Sequence, residues 1–289
     1  GCHYEPADAI EICKLVIGEL NARSKTNEAL RNVKVSMPES AKWSDYSYVN
    51  SIYKAMVRDS EIAPYIDHFA SHSYSTNADQ KRGVARFINS LSEEALPLHQ
   101  TEWGNSESEP AMGISTAVEL GRCLYEDLTI LDVESWSWWL GVSKYNYSDG
   151  LIYVTDQPND NTYKLSKRFW TLGNYSKYIK GYTRVEVDES LMPDGMYSSA
   201  YVSEDGNTIT YVVGNEKADN STFTFFGLPA GAKAEVYETS SKRNCNELRG
   251  TMLASNGYEV PGKSVTTFVF RSLNTDSIEK PPVVEEPED

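Results

Sequence analysis

The chain has 289 residues, 40% of them hydrophobic, enough for one large domain or two medium ones around a sizeable core. With 42 acidic against 27 basic residues the net charge is -15, a field that repels phosphate backbones and anionic membranes and argues against a nucleic-acid partner. No run approaches the roughly 18 apolar residues that span a bilayer, and the opening GCHYEPADAIEICKLV lacks the basic-then-apolar order of a secretory leader.

Residues 1–180 alternate helix-like and strand-like segments. A helix is expected over 6–22, then a short β-branched strand over 32–37 that ends at Pro38. A helix over 44–57 leads to the strand YIDHFASHSY at 65–74, and a helix over 78–91 to the strand LPLHQTEW at 96–103. The next helix covers 111–128, followed by the strand TILDVESWSWW at 129–139 and a last helix over 164–179. This is a β/α series with four strands.

The pattern changes after Gly181. Short alternating runs (RVEV, SAYVSE, TITYVVGN, TFTFF, KAEVYET, TTFVF) recur at intervals of about ten residues, separated by Gly, Pro, Asn and Asp, as in an antiparallel sandwich. Past Ser272 the stretch is acidic and proline-rich, which reads as a disordered tail or linker. The expected domains are therefore 1–180, 181–272 and 273–289. Cys2, Cys13, Cys123 and Cys245 lie far apart without a C-x-x-C pair, so neither a zinc site nor a redox motif is supported, and buried thiols are expected.

An eight-stranded β/α barrel takes about 250 residues, so four units make either an open sheet or the second half of a longer protein. The chain enters its first helix with no strand before it, which favours the second choice. In such barrels the functional residues gather at the C-terminal strand ends. Here those ends carry Glu39, then His72 and Tyr74, then Glu102, then Trp136 and Trp138. In HQTEWG, residues 99–104, Glu102 closes a stripe of Leu96, Leu98 and Gln100 that shares one face if the segment is extended. A carboxylate among aromatic rings fits a sugar subsite, and glycoside hydrolysis usually takes two carboxylates. The 19 tyrosines and 6 tryptophans supply flat faces with polar edges, a surface that suits sugars.

HQTEWG resembles the nucleophile strand of glycoside hydrolase family 30, a retaining clan-A family with a (β/α)8 barrel fused to a β-sandwich. SHSY resembles that family's sixth strand, ESWSWW its eighth, and FWTLGNYSKYIKGYTRV the helix leading into the sandwich. The resemblance covers residues 1–272 and implies an α/β fold: the C-terminal half of a TIM barrel followed by an antiparallel β-sandwich. It implies Glu102 as nucleophile, His72 and Tyr74 around it, and Trp136 and Trp138 against the sugar. Glu39 either reaches a substrate hydroxyl or caps the following helix. The family's acid/base glutamate stands in an Asn-Glu-Pro triplet that is absent from this sequence, so it is expected upstream of Gly1.

The implied reaction is a double displacement on a polysaccharide or oligosaccharide, without metal or organic cofactor. The opening GCHYEP and the strand SWSWWLG look most like the endo-β-1,6-galactanase branch. A glucuronoxylanase needs a cationic clamp, and Arg168 and Arg184 sit in regular elements where structural roles are expected. A second reading is a carbohydrate-binding homologue without turnover, and a third makes the sandwich a binding module if Tyr197 and Tyr201 form an exposed stripe. His68 and His72 lie roughly 13 Å apart along a strand and cannot share one ion. The loop over 145–160, with three tyrosines, is expected at the cleft rim. Large glycans are met outside the cell, so a secreted, periplasmic or surface location follows from the substrate. No oligomeric state is implied.

Overall fold

A computed structural model describes residues 4–91, 95–105, 109–145, 147–157, 159–229 and 231–273. Cys2 and the proline-rich stretch after Leu273 lie outside the described residues. Contacts divide the chain into two compact units: residues 1–109, 126–141 and 147–149 form the first, and 110–125, 142–146 and 150–289 the second. The composition change at Gly181 therefore does not coincide with this division.

In the first unit a parallel sheet holds four strands in the order β1 (Val35–Ser40), β2 (Ile66–His72), β3 (Leu98–Glu102) and β4 (Ser135–Trp136). Helix α1 (Pro6–Ser24) precedes β1, α2 (Tyr46–Arg58) connects β1 to β2, and α3 (Ala78–Asn89) connects β2 to β3. The starts of α1 and α3 have local causes. Pro6 presets the first turn of α1, where Glu5 and Asp8 form a capping box, and Asn77 with Gln80 forms another at α3. Val49, Ile52, Tyr53 and Met56 recur at helical spacing and bury one face of α2. They meet Trp43, Phe69, Val84 and Leu98 in one apolar core.

Two strands depart from the expected limits. β1 runs through Pro38 to Ser40 rather than stopping before the proline. A strand tolerates a residue without N–H at a bulge, and the pairing of β1 with β2 shifts directly after Pro38. The strand expected over 129–139 shrinks to two residues. Helix α4 (Ile114–Glu126) continues into a π-helical turn, Asp127–Leu131, which Asp132 ends in the left-handed region at φ 57°. The apolar run TIL thus closes a helix, with Leu131 in the core, and only Ser135 and Trp136 remain to pair with His99 and Gln100.

The second unit contains α4, the small sheet β5 (Val142–Ser143), β6 (Ile152–Val154) and β7 (Tyr163–Leu165), and helix α5 (Lys167–Ser176). The expected rim loop over 145–160 thus contains a strand, and Tyr153 is buried rather than displayed. Its hydroxyl accepts from Gly150 N and from Arg168, whose guanidinium is itself buried. Beyond these lie β8 (Thr183–Val185), β9 (Met196–Val202), β10 (Thr208–Asn215), β11 (Ser221–Phe223), β12 (Lys233–Thr239), β13 (Leu248–Leu253), β14 (Tyr258–Val260) and β15 (Ser264–Arg271). Six form an antiparallel sheet in the order β13-β12-β15-β10-β9-β8, and β11 pairs with β14. Phe223 and Val260 of that pair share a core with Val213, Val236, Phe268 and Phe270 of the larger sheet. Cys13, Cys123 and Cys245 are buried and stand outside any disulfide among the described residues.

Tyr197 and Tyr201 are buried, so they form no exposed stripe. The Tyr197 ring lies 4.8 Å from that of Tyr125 and under the Arg122 guanidinium at 4.3 Å. Two glycines make its slot: a Cβ on Gly121 would stand 2.4 Å from the Tyr197 hydroxyl, and one on Gly214 2.0 Å from its ring. A ring held on several sides cannot yield. Gly214→Ala is therefore expected to destabilise by at least about 1–3 kcal/mol through overpacking, while Gly18→Ala, with open space at its Cβ in α1, gains about 0.5–1 kcal/mol of helix propensity. Thermal melts of the two variants should move in opposite directions.

Candidate active site

At the C-terminal ends of β1 to β3, two bulges set the geometry. Pro38 pairs with Ala70 and Ser40 with Ser71, so Glu39 is an extra residue in β1. On the other side of β2, Ser71 pairs with Gln100 and His72 with Glu102, so Thr101 is an extra residue in β3. A bulge shifts the side-chain alternation by one and re-aims the residues after it. Glu102 therefore leaves the face of Leu98 and Gln100, where simple alternation puts it, and comes level with His72.

The result is a cluster of polar groups above β2. Tyr74 Oη donates to Glu102 Oε1 at 2.9 Å, and His72 Nε2 lies 3.8 Å from Glu102 Oε2. The same His72 nitrogen is 3.1 Å from Glu39 Oε2, which also accepts from Thr101 Oγ1 at 2.5 Å. Glu39 thus contacts His72 and Thr101 and does not cap α2, whose N-cap is Asp45. The Glu102 side chain is 27% exposed, open to an incoming ligand yet partly desolvated.

Electrostatics follow from these contacts. The hydrogen bond from His72, helped by that from Thr101, holds the Glu39 carboxyl below its usual range despite partial burial. Burial, together with the bond to Glu102 and its charge, pushes the Tyr74 phenol well above its ordinary value, so Tyr74 remains a donor throughout the physiological range. Four residues earlier in β2, His68 is engaged elsewhere: its Nδ1 is 2.8 Å from Asp67 Oδ2 and its ring stacks on His99 with centroids 3.6 Å apart. Among the described residues no group of three or more His, Cys, Asp or Glu is placed to hold a metal.

The tryptophans form one wall. Trp103, next to Glu102, meets Trp136 at 6.3 Å and Trp138 at 5.4 Å between ring centroids. Trp138 Nε1 donates to the backbone carbonyl of Asp149 at 2.6 Å, and Trp136 Nε1 to the carboxylate of Asp127 at 2.8 Å. That carboxylate is fully buried and also takes Ser73 Oγ at 2.9 Å and Lys81 Nζ at 2.9 Å. Trp103, Thr101 and the Asp127 group are not among the site residues expected from the sequence. Trp103 follows Glu102 directly and could have been nominated with it, whereas Asp127 joins residues of α3 and β4 that no local pattern connects.

Over residues 29–153 the chain matches the model of O-Glycosyl hydrolase family 30. Every candidate residue above, from Glu39 to Trp138, lies within those limits. Solved structures with a similar fold include a family 30 endoxylanase from Clostridium papyrosolvens, at 19% identity and TM-score 0.67, covering 93% of this chain and 61% of that one. A family 30 subfamily 8 xylanase from Clostridium acetobutylicum matches at 21% and 0.66, covering 94% and 62%. A conserved exported protein from Bacteroides fragilis matches at 19% and 0.71, covering 93% and 60%. At these identities the likeness shows the fold, and this chain spans roughly three fifths of the length of those structures. No described helix is long and apolar enough to cross a membrane.

Proposed function

We propose that the protein is a retaining O-glycosyl hydrolase of a β-linked polysaccharide, with Glu102 as the nucleophile of a double displacement. The observation that carries this reading is the hydrogen bond from Tyr74 to Glu102 at the end of a parallel strand, with His72 alongside. Tyr74 donates to the Glu102 carboxylate and aims it, while the His72 imidazole stands 3.8 Å from its other oxygen. Glu102 would attack the anomeric carbon while a second carboxylic acid protonates the leaving oxygen, then activates water to release the sugar. Trp103, Trp136 and Trp138 would offer the apolar wall on which a pyranose face rests.

Glu39 is unsuited to be that acid. Two donors hold it ionised, whereas a general acid needs its proton at working pH. This supports an acid/base glutamate upstream of Gly1, about 5–5.5 Å from the nucleophile in the assembled site. On the same reading residues 1–180 are the second half of a (β/α)8 barrel, 181–272 a β-sandwich and 273–289 a linker. The exposed apolar side chains Ile12, Leu15 and Val16 on α1 support it, as a face that preceding barrel helices would cover. The reaction needs no metal or organic cofactor, and a polymeric substrate places the protein outside the cell, in the periplasm or at the surface.

Among substrates, β-1,6-galactan is favoured over glucuronoxylan. Arg168 is buried and donates to Gly150 O and Tyr153 Oη, so it is committed to structure rather than to a uronate. The test is release of reducing ends by the full-length protein from the two polymers, with the anomer formed first read by proton NMR. Cleavage of galactan with a β-product is expected. Cleavage of glucuronoxylan alone would move the protein to the xylanase branch, an α-product would overturn retention, and binding without cleavage of either would replace the hydrolase with a carbohydrate-binding homologue.

A further inference from the structure

We propose that Glu39 is a positioning residue that fixes the imidazole of His72 against Glu102 and makes no contact of its own with substrate. The inference rests on the reading of Glu102 as nucleophile for its consequence, and on geometry alone for the contact itself.

Three observations converge on it. First, Glu39 and Thr101 are the extra residues of two bulges on either side of β2, one opposite Ala70–Ser71 and the other opposite Ser71–His72. The strands that carry them are not neighbours, yet their side chains meet over β2, with Thr101 Oγ1 donating to Glu39 Oε2 at 2.5 Å. Second, that same oxygen lies 3.1 Å from His72 Nε2. One carboxylate oxygen therefore accepts from a residue of β3 and a residue of β2, which fixes its place and, through it, the imidazole plane. Third, Glu39 holds φ at 59°, a left-handed backbone that glycine adopts far more readily than glutamate. A side chain kept where the backbone favours glycine points to a function for that side chain.

The groups facing His72 are Glu39 from β1, Glu102 from β3 and the Tyr74 ring, edge-on at 5.9 Å just past β2. Its Nε2 faces both carboxylates, so it carries hydrogen and donates to Glu39 while standing 3.8 Å from Glu102. Without Glu39 the ring has one fewer anchor and can turn away. Glu102 then loses a nearby donor and depends on Tyr74 for its aim.

Two variants of the full-length protein test this. Glu39→Gly removes the side chain and relaxes the backbone, so its melting temperature is expected to match or exceed that of the parent. Its kcat is expected to fall by about 10²-fold, the scale of a roughly 1 Å misplacement, with KM little changed. Glu39→Gln keeps an oxygen that accepts from both His72 and Thr101, and is expected to recover most of the lost kcat. Crystal structures supply a readout independent of activity: His72 should leave Glu102 in Glu39→Gly and stay beside it in Glu39→Gln. A His72 ring unmoved in Glu39→Gly overturns the inference even if the protein hydrolyses nothing. So does a raised KM with kcat intact, which would make Glu39 a substrate ligand. If the ring moves as expected and no glycan is cleaved, the contact stands and the hydrolase reading falls.

Discussion

Glu102→Gln in the full-length protein is expected to lower kcat on its polysaccharide by on the order of 10⁴-fold or more, the scale seen when a covalent nucleophile is removed. At 1.36 kcal/mol per tenfold, that is a loss of about 5 kcal/mol of transition-state stabilisation. The fold should not register the change. Glutamine has the shape of glutamate, and its carbonyl can accept the 2.9 Å hydrogen bond from Tyr74. The side chain is partly exposed, so its amide hydrogens can be satisfied by solvent. Melting temperature and sugar affinity should therefore stay within experimental scatter while turnover disappears. Retention of more than a tenth of the parent activity would remove Glu102 from the nucleophile role. Affinity retained by a parent protein that never turns over would favour a binding function.

Several elements were legible because their causes are local. The capping pairs Glu5 with Asp8 and Asn77 with Gln80, and the helical stripe from Val49 to Met56, mark α1 to α3 in the sequence itself. Period-two alternation likewise marks β10 and β12, whose observed limits are those of the runs TITYVVGN and KAEVYET. β13 and β14 left no such signal. The run LRGTML is mostly exposed and carries a glycine, so the sheet's ladder rather than an apolar face defines it as a strand. At the site, residue types at strand ends were enough to nominate Glu39, His72, Tyr74, Glu102 and the tryptophans. The family resemblance put His72 and Tyr74 around Glu102, as found, but local residue types alone do not give that arrangement, because it depends on register. The bulge at Thr101 brings Glu102 level with His72, and only pairing between β2 and β3 reveals it.

Asp127 is the clearest case of a residue whose importance is entirely non-local. Its sequence context, EDLTIL, reads as a helix end, yet its carboxylate is fully buried with Lys81, which is 1% exposed. Lys81 Nζ lies 2.9 Å from Asp127 and 3.0 Å from Glu126, while Ser73 and Trp136 donate to Asp127 at 2.9 and 2.8 Å. A buried pair of this kind need not stabilise relative to an apolar pair, but breaking it is costly because one charge stays behind. Asp127→Ala is expected to destabilise by about 3–5 kcal/mol, leaving Lys81 with Glu126 and taking the acceptor from Ser73 and Trp136. For a chain of this size that is a fall in melting temperature on the order of 10 °C. Asp127→Asn should approach it, because an amide turns donor hydrogens toward groups that already donate. Replacing both partners, as in Lys81→Met with Asp127→Leu, should recover only part of the loss, since Glu126 then loses Lys81 and the donors Ser73 and Trp136 still lack their acceptor. A melt of Asp127→Asn within about 2 °C of the parent would show that the buried charges are not held by this geometry. The Asn variant also separates two kinds of damage. There the Trp136 indole N–H loses its carboxylate acceptor at the wall of the site, so stability and sugar affinity should fall together. Glu102→Gln should instead leave both in place and remove turnover alone.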